Sequence, residues 1–275
     1  MDGLFLLLTN GCLAGNVSLH EAGSPNLVLT AREAGTFRLS VRPHGSVTWS
    51  GPRRSVTLAR PMDADRFLLE LPGLFDAFPA AEHPRDRRCA DVIDRLGGLA
   101  RENNLALLNL AVSLLPPGEA YVEVGTYRGT SLVGALLGNE AEAVAIDSFA
   151  FRDGSREVLD ENLAAFGVAG RVTVLEGDAY DVLGGGALGT RRVGVYYWDA
   201  GHDRDEVSRG LRLIEPWLAP GALLIVDDSD WERVSLGVDD HLAADPHARR
   251  ILTIDGSGRG APQWWEGMQV LVREP

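Results

Sequence analysis

The sequence predicts an α/β protein. A mostly parallel sheet is covered by helices on both faces, ends in a C-terminal antiparallel strand, and follows a small β-rich N-terminal appendage. Three observations lead there. Short, nearly continuous apolar segments alternate with helical patterns from residue 90 onward. The last two apolar segments are separated by only the 13 residues 255–267, too few for the crossover helix that parallel neighbours need. Residues 1–60, by contrast, are β-branched runs punctuated by turns.

Within the appendage, segments 26–30, 36–41, 46–49 and 55–58 carry alternating or β-branched residues, and Ala34-Gly35, Pro43-His44-Gly45 and Gly51-Pro52 separate them, which predicts a meander. Segment 61–89 reads as a linker or cap, broken by Pro61, Pro72, Pro79 and Pro84, with Arg85, Arg87 and Arg88 around Asp86 on a solvated face. The domain proper is expected over 90–275. Val92, Leu96, Leu99, Leu105, Leu107, Leu108, Leu110 and Leu114 give two helices, or one broken at Gly97-Gly98, stopped by Pro116-Pro117-Gly118. Strands are then expected at 120–124, 143–146, 172–175, 193–197, 222–226, 250–254 and 268–272. Helices are expected at 131–137, 156–166, 205–218 and 231–244.

Composition narrows the function. The chain has 275 residues and a formal net charge of −13, a balance that repels phosphate backbones and argues against nucleic acid as a partner. No apolar run approaches the ~18 residues of a membrane helix. The stretch 4–8 followed by Cys12 is too short for a signal segment, and Asp2 stands where one would carry positive charge, so a cytoplasmic setting is expected. Cys12 and Cys89 have neither metal-ligand nor redox spacing. All 26 basic residues are arginine, which excludes any mechanism that needs a lysine.

The first strand of the domain runs into Glu123-Val-Gly125-Thr126-Tyr127-Arg-Gly129-Thr-Ser131, where glycines let the backbone approach a ligand closely. Glu123 can meet a ligand's cationic end or bond the loop that holds it. Asp147, followed by Ser148, ends the next strand, where an acid can accept hydrogen bonds from ribose hydroxyls. Asp178-Ala179 follow the third strand, and Asp178 suits an adenine amino group. Asp199 and His202 follow the fourth strand and Asp227-Asp228 the fifth; ligands of open parallel sheets bind at those carboxyl ends, so the three aspartates should converge on one rim. Carboxylates gathered there repel unless a hard divalent ion such as Mg²⁺ sits among them. A histidine near neutrality, His202, can take the proton of a hydroxyl.

Taken together, Glu-Val-Gly-Thr-Tyr-Arg-Gly-Thr-Ser, Ile-Asp-Ser-Phe, Glu-Gly-Asp-Ala, Trp-Asp-Ala-Gly-His-Asp and Val-Asp-Asp-Ser-Asp-Trp resemble the class I S-adenosylmethionine-dependent methyltransferases, which have a Rossmann-like fold. The pattern is similar to that of macrocin-type and sugar O-methyltransferases and, more distantly, catechol O-methyltransferases. It covers about residues 90–275 and leaves 1–60 unexplained. The resemblance implies that S-adenosylmethionine is bound by Glu123, Gly125, Thr126, Tyr127, Gly129, Ser131, Asp147, Ser148, Asp178, Ala179 and Asp199. It implies Mg²⁺ on Asp199, Asp227 and Asp228, with Asp199 and His202 catalytic and His202 as base. The implied acceptor is a small-molecule hydroxyl, on a sugar or other secondary metabolite. Trp231, Trp264 and Trp265 are candidates for the acceptor pocket.

Two other readings compete. A nicotinamide-dependent reductase would need Gly-x-Gly-x-x-Gly, whereas this loop has single glycines at 125 and 129. A non-catalytic module that keeps the cofactor fold would bind the donor without turnover. A homo-oligomer is suggested only by the edges that a β-rich appendage offers.

Overall fold

The computed structural model describes residues 62–256 and 263–274 and, before residue 62, the backbone of five strands. The chain divides into two compact units, Met1–Pro61 and Met62–Pro275. In the first, β1 (Ser18–His20), β2 (Val28–Ala31), β3 (Gly35–Val41), β4 (Val47–Gly51) and β5 (Arg54–Leu58) form an antiparallel meander in chain order. Only β1 has no counterpart among the expected segments. The stretch 4–8, Cys12 and the Pro43-His44-Gly45 turn lie outside the described residues.

The second unit opens with α1 (Ala64–Glu70), a 3-10 turn at Leu71–Leu74, α2 (Ala90–Leu96) and α3 (Glu102–Ser113). Asp63 caps α1 by accepting from the Arg66 amide at 2.9 Å. Phe67, Leu71, Phe75 and Cys89 are buried in the same core as α2 and α3, so 62–89 is a folded cap, not a spacer. Its arginines remain at the surface as ion pairs, Arg85 with Asp76, Arg87 with Glu102 and Arg88 with Asp86. The helical pattern breaks at Gly97 and Gly98, which have φ of +65° and +96°.

The alternating part follows: β6 (Glu119–Val124), α4 (Thr130–Leu136), β7 (Ala143–Asp147), α5 (Arg156–Ala165), β8 (Val172–Glu176), α6 (Ala179–Gly184), β9 (Arg192–Trp198), α7 (Arg204–Leu213), β10 (Leu218–Asp227), α8 (Glu232–Ala244), β11 (Ala248–Ile254) and β12 (Met268–Arg273). The sheet order is β11-β12-β10-β9-β6-β7-β8. Neighbours from β10 through β9, β6 and β7 to β8 are parallel. β12 inserts between β10 and β11 and is antiparallel to both. β6 and most of β9 are buried on both faces, as a covered parallel sheet requires.

One boundary and one element differ from expectation. α7 stops at Leu213 rather than 218, because Glu215–Trp217 form a 3-10 turn around Pro216 and Leu218 already begins β10. α6 was not expected: it is a six-residue helix started by the Asp178 side chain, too short to show a helical period. Among the described residues, no helix is long and apolar enough to cross a membrane.

If the cap belongs to the core, Phe67→Ala should destabilise the fold by about 3–5 kcal/mol in denaturant unfolding, the cost typical of emptying a buried phenylalanine site.

Candidate active site

A cavity of about 400 Å³ opens at the carboxyl ends of β6, β7, β8 and β9. Of the residues expected there, Gly125, Thr126, Tyr127, Ser131, Asp147, Ser148, Asp178, Ala179, Asp199, His202 and Asp228 line it. Glu123, Gly129 and Asp227 are not among its lining residues.

The floor depends on Gly125. It has φ of +88°, and a Cβ there would lie 1.8 Å from the carbonyl oxygen of Asp199. The Asp199 amide donates to the Val124 carbonyl at 2.9 Å, and the Gly125 amide to Ile146 at 2.9 Å. The ends of β6, β7 and β9 are thus laced together, and no side chain fits at 125.

Behind the floor, Glu123 is fully buried. Its carboxylate accepts from the Tyr121 hydroxyl at 2.5 Å and from the Ser131 hydroxyl at 2.8 Å. It therefore ties β6 to the first turn of α4. Burial pushes its pKa up to about 7 against the opposing pull of those hydrogen bonds.

Asp147 holds the loops on either side of it. Its Oδ2 accepts from the Tyr127 amide and its Oδ1 from the Phe149 amide, both at 2.6 Å. Tyr127 and Phe149 have φ of +51° and +53°, a conformation that side chains disfavour and that the carboxylate pins in place. Asp147 does not cap α5, where Ser155 accepts from the Val158 amide at 3.2 Å. Asp178 is the cap of α6, accepting from Tyr180 and Asp181 amides at 2.9 and 3.2 Å.

At the far end of the cavity the aspartates separate into two kinds. Asp227 turns away: it accepts from the Tyr197 hydroxyl at 2.6 Å and faces the Asn104 amide nitrogen at 3.4 Å. Asp199 and Asp228 face His202 instead, and one ligand atom from each of the three lies within 4.8 Å of the others. His202 Nε2 stands 2.7 Å from Asp228 Oδ2. The approach is close but not aligned as a hydrogen bond, and Nε2 and Asp228 Oδ1 are buried without hydrogen-bond partners. Asp228 has φ of +53°. The Asp199 carboxyl is pushed well above the usual carboxylate range by burial and then by Asp227 and Asp228. Asp227 is raised too, first by burial and then by Asp228. The Asp199-Asp228-His202 group is the fit one looks for in a hard-cation site: oxygen donors of like charge plus unpaired buried atoms turned inward.

The tryptophans divide as well. Trp264 is core: it stacks near Phe75 and Phe78, and its Nε1 donates to the Pro79 carbonyl at 2.7 Å. Trp265 lines the cavity with the Arg101 guanidinium 4.7 Å over its ring. Trp231 packs 4.9 Å from the His202 ring. The sequence reading missed the Gly98-Leu99-Ala100 wall and Asn104; the helix break at Gly97-Gly98 and the polar Asn103-Asn104 pair in an apolar helix were their signals.

Residues 122–229 match the profile of a family described as a methyltransferase domain. Over those residues the chain is similar to that family. No curated protein matches the chain. Among solved structures, the methyltransferase domain resembles the O-methyltransferase of tomaymycin synthesis from Streptomyces achromogenes, solved with S-adenosylmethionine, at TM-score 0.54 and 20% identity, over 70% of this chain and 92% of that one. An S-adenosylhomocysteine-bound O-methyltransferase from Bacillus cereus gives TM-score 0.51 at 15% identity, over 70% and 92% of the two chains. A methyltransferase from Geobacter sulfurreducens gives TM-score 0.51 at 18% identity, over 79% and 100%. The fold of the domain is that of S-adenosylmethionine-dependent O-methyltransferases.

Two outcomes follow for the floor of the cavity. Gly125→Ala should cost about 3 kcal/mol or more, from a left-handed backbone plus a clash with main chain, read as a fall in Tm. Glu123 has a raised folded-state pKa, so its contribution to stability is intact below its ordinary value of 4.5 and is lost as pH rises through about 7. Glu123→Gln should therefore flatten the decline of Tm across that window; an unchanged pH slope would remove Glu123 as its source.

Proposed function

We propose that this chain is an S-adenosylmethionine-dependent O-methyltransferase that acts on a hydroxyl of a small molecule, a sugar or another secondary metabolite, with a divalent cation such as Mg²⁺ at the rim. One observation carries the reading: Asp199, Asp228 and His202 converge at the end of a cavity walled by the Gly125–Tyr127 loop and Asp147, with two of their buried polar atoms unpaired.

S-adenosylmethionine supplies a sulfonium-bound methyl group, and a bound cation acidifies and fixes the acceptor hydroxyl. The protein's residues do the rest. The Gly125-Thr126-Tyr127 backbone admits the donor closely, and Asp147 keeps lone pairs for ribose hydroxyls beside the amides it already holds. Ser148, Asp178 and Ala179 form the nucleoside wall. Asp199 and Asp228 hold the cation, with His202 Nε2 as the neighbouring nitrogen donor, while Asp227 supports Asp228 from behind. Orientation of donor and acceptor can supply ~7–11 kcal/mol of the barrier in favourable systems.

A second reading rests on the 2.7 Å approach of His202 to Asp228. Without a cation, Asp228 orients the ring and His202 takes the hydroxyl proton as the oxygen gains the methyl carbon and the carbon–sulfur bond breaks. The acidic surface fits a small acceptor in a cytoplasmic setting. We read residues 1–60 as an appendage, 61–89 as a linker or cap segment and 90–275 as the methyltransferase domain.

Isothermal titration with S-adenosylmethionine and S-adenosylhomocysteine should give micromolar binding that Asp147→Ala weakens at least tenfold and Asp228→Asn leaves in place. With sugar and phenolic acceptors, EDTA should lower turnover about 100-fold, Mg²⁺ should restore it, and Asp228→Asn should abolish the restoration. Turnover untouched by EDTA but lost in His202→Ala selects the second reading. Absence of donor binding by folded protein would sink both.

A further inference from the structure

A second group of ligand-type side chains lies at the other end of the sheet. Glu215 precedes the start of β10, while His241 in the last turn of α8 and Asp245 just after it precede the start of β11. One ligand atom from each of the three lies within 4.8 Å of the others. This end is remote from the rim, because α8 begins beside Asp228 and runs back along the sheet.

His241 is the unusual member. Its side chain is 2% exposed, yet its Nε2 is buried without a hydrogen-bond partner, and its Nδ1 lies 3.8 Å from a Glu215 oxygen, beyond hydrogen-bond reach. A buried imidazole normally has a partner. Here Nε2 has none, and one ring nitrogen lies within 4.8 Å of a carboxylate oxygen of Glu215 and of Asp245.

Asp245 is already engaged. Its Oδ2 pairs with Arg273 and its Oδ1 accepts from the His247 amide at 2.9 Å. Each carboxylate oxygen has a second lone pair, so these bonds orient Asp245 as outer partners orient a metal ligand, and leave it able to bind. Glu215 is partly exposed, which gives an entry path from solvent.

We propose that Glu215, His241 and Asp245 form a second cation site that takes a divalent ion of the imidazole-binding kind, Zn²⁺ in the first place. One imidazole nitrogen and two carboxylate oxygens are donors that Zn²⁺ and Ni²⁺ accept, as are those of the rim group. The ion would join the end of α7, the end of α8 and, through Arg273, the end of β12. The site is built of residues separate from the rim and stands whether or not the methyltransferase reading holds.

The test is a Zn²⁺ titration of EDTA-stripped, full-length protein against a chromophoric zinc chelator, run on the wild type, Glu215→Gln, His241→Leu and Asp228→Asn. Glu215→Gln changes a partly exposed side chain, so it reports even if His241→Leu fails to fold, and near-ultraviolet circular dichroism verifies each variant. The expected result is one zinc equivalent, beyond any held at the rim, that Asp228→Asn retains and that Glu215→Gln loses or binds at least tenfold more weakly. In the Asp228→Asn background, Zn²⁺ should raise Tm, and adding Glu215→Gln should cancel the rise. Equal stoichiometry and affinity in wild type and Glu215→Gln would overturn the proposal, as would zinc uptake that disappears entirely with Asp228→Asn.

Discussion

The constraint on which the rest of this domain depends is charge. Glu123, Asp147, Asp199, Asp227 and Asp228 are gathered at the carboxyl ends of β6, β7, β9 and β10, where burial weakens the screening of their mutual repulsion. The fold disposes of three of them internally. Glu123 is taken by Tyr121 and Ser131, Asp147 by two backbone amides, and Asp227 by Tyr197 and Asn104. Each of those bonds also serves architecture, tying a strand end to a helix, a loop or α3. Asp199 and Asp228 have no such partners among the described residues beyond His202. The internal hydrogen bonding thus sorts carboxylates that look alike in sequence into those that build the site and those left facing it.

That sorting explains what could and could not be read from the sequence. The strands of the sheet were legible because their apolar runs are nearly unbroken, and the antiparallel return of the last strand followed from the short 255–267 connection. The cavity-lining loop was legible because Gly125, Asp147, Asp178 and Asp199 stand at strand ends. The separate fates of Asp227 and Asp228 were not. Adjacent residues on a strand end point to opposite sides, and which side faces the cavity depends on Tyr197 and Asn104, distant in the chain. Nor was Glu123's position behind the floor legible, since its partner Ser131 lies across the turn into α4.

The cap is a second case of tertiary context overriding local pattern. Residues 62–89 are rich in proline and arginine, which reads as a solvated connection, but their apolar minority is spaced to bury Phe67, Leu71 and Phe75. Trp264 then packs on Phe75 and Phe78 and bonds Pro79, so the loop before β12 is anchored to a segment far earlier in the chain. With Trp264 fixed inward, its neighbour Trp265 is turned to the cavity, next to Arg101. The cap thus sets the Trp265 side of the cavity without contributing a wall to it.

The position of β12 bears on how such a chain is made. β12 pairs with β10 along Leu223–Asp227 and also with β11, although it is the last of these strands to be synthesised. On the ribosome, β10 and its Asp227 end wait with one edge unpaired until residues 268–273 emerge, and β11 has no place in the sheet before then. A nascent chain therefore carries an open, apolar strand edge from the emergence of β10 until that of β12. The emergence of that one strand completes the central sheet, the Trp264 anchor and the support beneath Asp228 together, so any truncation before Met268 would leave all three unfinished.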